Sequence, residues 1–275
     1  MIMQLLYLGQ DQNVHDKRFY ETMMELGPTK SVFVNEQKSE KIDLSSIDVI
    51  VAGPLTTPFS LLPESINLPL IGVCHAFELA NAIGNEPLTS IIKSNISKCD
   101  HIICDNIYIR NLLKSDFQCK VPISILPYGC DISLMRKDYV DYGKKIRLLC
   151  TRNWTPIHGN LIVIEALKLL CGEDIIEFVV FAGDGPELEL GKKQIGVLKP
   201  DFPVYFEGFV DAVKMSCLLS QTNVYVSAAY SDGTSVSLME AMAGRLIPCV
   251  SNFSGNLNII EFGQNGFYFE LNDPE

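Results

Sequence analysis

The sequence contains no Cys-x-x-Cys pair and no Asp-x-Asp pair. Without the first there is no zinc-ribbon or thioredoxin-type redox signature. Cys99 and Cys104 have no second pair nearby to complete a metal site. Without the second, the carboxylate pair that commonly holds a divalent ion is missing. Basic residues are also scarce, with 22 Lys and Arg against 33 Asp and Glu, for a net charge of −11. This disfavours nucleic acid or an anionic membrane as a partner of the whole surface. A local basic patch at Lys144, Lys145 and Arg147 leaves room for at most peripheral membrane contact. No apolar run approaches the roughly 20 residues of a membrane-spanning helix. The N-terminal MIMQLLYLGQDQ has no basic region ahead of its apolar stretch, so it reads as a first strand and not a secretion signal. Repeats at solenoid period and low-complexity runs are absent as well.

What is present is the material of a folded α/β protein. Of 275 residues, 47% are hydrophobic and 20% charged, enough apolar content for a sizeable core. The nine cysteines lie mostly inside apolar runs: Cys104 in HIICDN, Cys150 in IRLLCT, Cys249 in IPCVSN. That is how free buried thiols are used in a reducing compartment, so a cytoplasmic location is expected. Sequons at Asn95, Asn153 and Asn252 are then chance matches.

Strand-like runs alternate with helix-like ones. In the first half, strands are expected at 4–9, 30–35, 47–52, 69–74, 101–104 and 121–127, with helices at 17–26 and 107–114. The second half predicts strands at 146–151, 177–182, 204–208, 223–229, 247–251 and 266–270. Its helices are expected at 160–171, 212–220 and 235–243. Continuous Val/Ile/Leu strands separated by helices mean parallel sheets covered on both faces. Two sets of six strands predict two Rossmann-like domains, 1–138 and 139–275, with the boundary in the polar stretch MRKDYVDYGK.

The densest signal is SDGTSVSLMEAMAG, residues 231–244. A buried-type strand leads into a glycine-bearing loop and then a helix. That order aims free N–H groups and a positive dipole end at whatever sits above the loop, as an anion such as a diphosphate requires. Glu240, further along the helix, can then reach a hydroxyl-rich group beside the phosphates. The alternative is an acid in a loop, Asp232, and an acid on a solvated helix face, Glu240.

Other strand-end loops carry single signals. Arg152, in TRNWTPIHG, follows a strand directly; its guanidinium suits phosphate oxygens, though taken alone it reads first as an ordinary surface arginine. AGDGPE is a tight turn opening a helix with Pro186 near its start. His75 ends the run LPLIGVCH, where it either faces a cleft or fills a structural role.

In order along about 125 residues, these loops resemble the donor-binding domain of retaining family-4 glycosyltransferases of the GT-B fold. TRNWTPIHG matches the family's arginine after the first strand. FAGDGPE matches its G-x-G-P turn, and VYFEGFV its loop after the third strand. SDGTSVSLMEAMAG matches its pair of acids eight apart, and SGNLNIIEFGQNGFYF its closing glycine-rich stretch. In the first half, LPLIGVCHA, CDHIICDN and ISILPYGCDISLM (a hinge signature at Pro127, Gly129 and Asp131) are compatible.

The resemblance implies two Rossmann-like domains facing across a cleft, and a metal-independent hexosyl transfer from a nucleotide-sugar with retention. The donor would be a UDP-, GDP- or ADP-sugar, with no other cofactor. The acceptor would be a glycan, a lipid-linked sugar or a small metabolite. Arg152 would neutralise the diphosphate, with the Gly233, Thr234 and Ser235 turn beside it, and Glu240 would hold the ribose. Asp232 would stand near the transferred sugar, and His75 would contact the reacting centre from the other domain. His158 stands where the family has a phosphate-binding lysine, so a fixed positive charge is lost there. Asp232 is one methylene shorter than the family's glutamate. Arg245 replaces a common glycine, and Asn258 a common glutamate. The family continues beyond the position of Glu275 with helices that return to the first domain. A non-catalytic or shortened nucleotide-sugar-binding subunit, or a sugar-nucleotide epimerase, are the alternative functions.

Overall fold

The computed structural model describes residues 4–10, 14–26, 29–34, 43–63, 65–130, 143 and 145–271. The chain divides into two compact units between Pro127 and Tyr128. The expected boundary at 138/139 falls outside the described residues, as do Asp131 of the hinge signature and Lys144 of the basic patch.

The first unit holds a six-stranded sheet. In chain order its elements are β1 (Leu5–Gln10), α1 (Val14–Leu26), β2 (Thr29–Val34), β3 (Val49–Ala52), β4 (Leu70–Cys74), α2 (Ala76–Ala82), α3 (Glu86–Lys98), β5 (His101–Cys104), α4 (Ile107–Ser115) and β6 (Ile123–Ile125). The sheet order is β2-β1-β3-β4-β5-β6, with every pair parallel. α3 starts where Asn85 caps it, its side chain accepting from Leu88 N at 3.3 Å, with Pro87 at the start of the first turn. Leu8, Ile50, Leu79, Ile92, Ile102 and Leu113 meet in its main core.

The second unit runs β7 (Ile146–Cys150), α5 (Asn160–Leu169), β8 (Ile176–Ala182), α6 (Leu188–Leu198), β9 (Val204–Gly208), α7 (Ala212–Gln221), β10 (Val224–Ser227), α8 (Val236–Ala243), β11 (Ile247–Ser251), α9 (Ser254–Leu257) and β12 (Phe267–Phe269). Its parallel sheet is ordered β12-β11-β10-β7-β8-β9. The continuous apolar runs are explained by burial on both faces. Leu148 and Cys150 of β7, with Val179 and Phe181 of β8, enter one core. Leu149 and Val180 enter the other, with Tyr225, Leu238 and Val250. The two-residue period of a strand feeds both layers.

This strand order puts β7 and β10 side by side while the chain leaves them in opposite directions. It is the doubly wound order, and the loops after these two strands flank its switch point, where such sheets leave a crevice.

All nine cysteines are free. Asn95 is buried, its amide donating to Leu55 O at 3.1 Å, so that sequon offers no accessible amide. Lys145 pairs with Asp174, and Arg147 with Glu177 at 2.7 Å, so acids offset these two members of the basic patch. Among the described residues, no helix is long and apolar enough to cross a membrane.

Candidate functional site

Arg152 leaves the end of β7 at the switch point and is 8% exposed. Its Nη1 donates to Ser235 Oγ and Ser237 Oγ, both at 3.1 Å. Its Nη2 lies 2.8 Å from Asp232 Oδ2. The Nε–H is buried and makes no hydrogen bond. Burial pushes the guanidinium pKa down, but the Asp232 charge outweighs this and holds it above its ordinary value. Ser237 also meets the hydroxyl of buried Tyr225 at 3.0 Å. Ser235 is the N-cap of α8 and accepts from Leu238 N at 3.4 Å. Gly233, Thr234 and Ser235 are all buried. Asp232 uses its second oxygen locally, Oδ1 accepting from Gly233 N at 2.8 Å. Glu240 is half-buried on α8, five residues beyond Ser235.

The loop that carries Arg152 is fixed from three sides. Asn160, fully buried at the start of α5, donates to Arg152 O at 3.0 Å and Asn153 O at 3.2 Å. Trp154 is fully buried against Phe181 and Phe206, with ring centroids at 5.1 and 5.9 Å. Its backbone pairs with the turn after β8, Trp154 N donating to Asp184 O at 2.9 Å and Glu187 N donating to Trp154 O at 3.0 Å. The turn comes this close because of Gly185, with φ +148°, where a Cβ would stand 2.5 Å from Trp154 O. The third tie joins the loops after β7 and β10. Tyr230 N donates to Ile157 O at 2.8 Å, and Gly159 (φ +65°) lies where any Cβ would be 2.1 Å from Ala228 O. The AGDGPE turn therefore braces the loop that carries Arg152.

His158 sits on this loop with Nδ1 3.1 Å from Asn153 O and 2.9 Å from Thr155 Oγ1. A carbonyl only accepts, so this network assigns the proton to Nδ1 and leaves Nε2 as an acceptor. Burial, then the Arg152 charge, push its pKa down to about 4. At neutral pH the ring carries no charge.

His75 belongs to the first unit and is 2% exposed at the end of β4. Its Nε2 lies 2.9 Å from Asp16 Oδ1, and Asp16 also accepts from Tyr7 Oη at 2.7 Å and Gln10 N at 2.8 Å. Glu78 Oε1 accepts from His75 N at 2.8 Å and so closes the start of α2. Burial works against the charged imidazole, yet Asp16 holds its pKa above the ordinary value. Burial likewise pushes Glu78 up to about 7.

The structure thus brings Arg152, Asp232, Gly233 and Ser235 into direct contact, with His158 and Glu240 on the flanking elements. Asn160, Ser237, Trp154 and Asp16 were not singled out from the sequence. Asn160, a polar residue opening an apolar helix directly after a glycine, carried the clearest signal of the four.

Two parallel, doubly wound α/β units, with Arg152 and the Asp232 loop at the second unit's switch point, define the class as a GT-B protein. The family model for glycosyl transferases group 1 matches residues 131–275, and the chain belongs to that family. The chain is similar to Streptococcus pneumoniae alpha-monoglucosyldiacylglycerol synthase, 24% identical over 56% of this chain and 37% of that protein. It is also similar to an uncharacterised glycosyltransferase of Methanocaldococcus jannaschii, 26% identical over 68% of this chain and 49% of the other. It spans half or less of the length of these two curated relatives. Among solved structures, Anabaena HepE in complex with UDP-glucose superposes with a TM-score of 0.73 at 15% identity, covering 99% of this chain and 86% of that one. Sucrose-phosphate synthase from Thermosynechococcus elongatus gives 0.78 at 11% identity, over 99% and 87%.

Proposed function

We propose that this chain is a retaining, metal-independent glycosyltransferase of the hexosyl class that uses a nucleotide-sugar donor. The observation that carries the reading is Arg152 at the end of β7, directed at the first turn of α8 across the switch point. Departure of a nucleoside diphosphate develops charge on phosphate oxygens, and a cation beside a helix N-terminus stabilises that charge without reorganisation. Gly233, Thr234 and Ser235 supply the backbone groups of the turn, and Glu240 takes the ribose hydroxyls. Asp232 stands beside the transferred sugar. His158, neutral, meets the ligand as an acceptor through Nε2 and not as a cation. His75 is the catalytic residue of the first unit, held by Asp16.

HepE was solved with UDP-glucose, and this supports a UDP-sugar as the first donor to test. The pneumococcal synthase, by its name, makes a monoglucosylated diacylglycerol, and this supports a glycerolipid among the acceptors. The remaining acceptor classes are a glycan or a small metabolite. Retaining enzymes of the family this chain resembles lack an obvious enzymatic nucleophile; on that likeness the acceptor oxygen bonds the anomeric carbon on the face from which the diphosphate departs, and the leaving phosphate oxygen takes the acceptor proton.

One observation favours a second reading, a nucleotide-sugar-binding subunit without turnover: His75 is almost wholly buried. Incubation with UDP-, GDP- and ADP-sugars and an acceptor panel, followed by NMR of the product anomer, separates the two. Transfer with retained configuration supports the enzyme, and binding without transfer supports the subunit. An inverted product, or an epimerised nucleotide-sugar with no transfer, contradicts both.

A further inference from the structure

Arg152 has five N–H donors, and the structure accounts for most of them. Ser235 and Ser237 take those on Nη1, and Nε–H is closed off from water. What remains to greet a ligand is Nη2, and there the Asp232 carboxylate sits at 2.8 Å. The same carboxylate accepts the Gly233 N–H at 2.8 Å through its other oxygen. One side-chain anion therefore occupies both a guanidinium edge and a loop N–H, the two kinds of donor that a phosphate oxygen pair takes. The two acceptors on Nη1 are neutral hydroxyls, so Asp232 alone among these contacts matches the charge of a phosphate.

From this contact we infer that Asp232 is an internal stand-in for phosphate and sets the charge a ligand must carry to reach Arg152. The inference rests on the proposed donor site and adds a second duty for Asp232. Asp232 is more open to solvent than Arg152, with side-chain exposures of 29% and 9%. The carboxylate is thus the partner that can swing into water while the arginine stays. A diphosphate displaces it with two charged oxygens; a neutral hydroxyl cannot. Once released, the carboxylate is free to stand beside the sugar. The competition weakens diphosphate binding and adds nothing to the recognition of a base.

The test is calorimetry with inorganic pyrophosphate, UDP and uridine on the whole chain at fixed ionic strength. Wild type is compared with Asp232→Asn and Arg152→Ala, each with a melting curve, and Asp232→Ser is the substitute if the Asn variant melts early. Relief from a partly exposed ion pair is worth roughly twofold to fivefold in affinity. Pyrophosphate and UDP should therefore bind the Asp232 variant that much more tightly, with uridine unchanged. If the Asp232 variant binds both anions no better, or worse, while Arg152→Ala weakens them, Asp232 merely orients the arginine and the inference is overturned. If Arg152→Ala changes nothing, the donor-site reading itself falls and the inference goes with it.

Discussion

The indole of Trp154 lies where a side chain on Gly191 would have to go: a Cβ there would stand 2.2 Å from its Cζ3 atom. Trp154 is two residues from Arg152, so the packing of α6 is coupled to the position of the arginine. In an exposed helix, Gly→Ala is stabilising by about 0.5–1 kcal/mol. Here Gly191→Ala should instead destabilise by roughly 1–3 kcal/mol, the usual range for overpacking a core. Thermal or denaturant melts give the sign directly, and a stabilised variant would show that the loop is not held by this contact.

His158 gives a pH signature. Its folded pKa is about 4, below the ordinary 6.5. The unfolded chain therefore binds the proton first as pH falls. The stability it contributes is fully present above about pH 6.5 and is lost as pH drops from there through about 4. His158→Asn should flatten the stability profile in that window relative to wild type. Parallel profiles would mean that the ring titrates normally.

His75 works in the opposite sense. Its pKa is raised, so the stabilisation from its pairing with Asp16 is present below about 6.5 and is lost as pH rises through the folded value. Asp16→Asn should cost about 2 kcal/mol or more at pH 6. The difference from wild type should shrink towards pH 9. A pH-independent difference would leave Asp16 as a packing residue only.

Glu240→Gln is close to isosteric on a half-buried face. If the carboxylate holds a ribose, UDP affinity should fall about tenfold to a hundredfold, the equivalent of one charge-assisted bond. The melting temperature should barely move. A variant that binds UDP like wild type would assign Glu240 to the solvated helix face.

The strands of the second unit were legible because each is a short apolar run, and the central ones are buried on both faces, as Leu148, Leu149 and Cys150 of β7 illustrate. Helices α2 and α3 were missed: α2 has only seven residues, too few for a helical period to show, and the Asn85-Glu86-Pro87 start signal of α3 was not used. Arg152 and Asp232 were each visible as a charged residue just past a strand. Their contact was not, because it depends on β7 and β10 being neighbours although Leu148 and its partner Val224 are 76 positions apart in the chain. His158 was legible as a departure from a lysine, but its neutrality comes from burial and from Arg152, which only the fold supplies.

If Arg152 is the cation that meets the donor diphosphate, calorimetric titration of UDP into wild type and Arg152→Ala shows it most directly. Loss of a charge-assisted, largely desolvated contact should weaken UDP about tenfold to a hundredfold, with turnover falling further than binding because the contact strengthens as the leaving group ionises. Equal affinity in a folded Arg152→Ala variant would contradict the assignment of this crevice as the donor site.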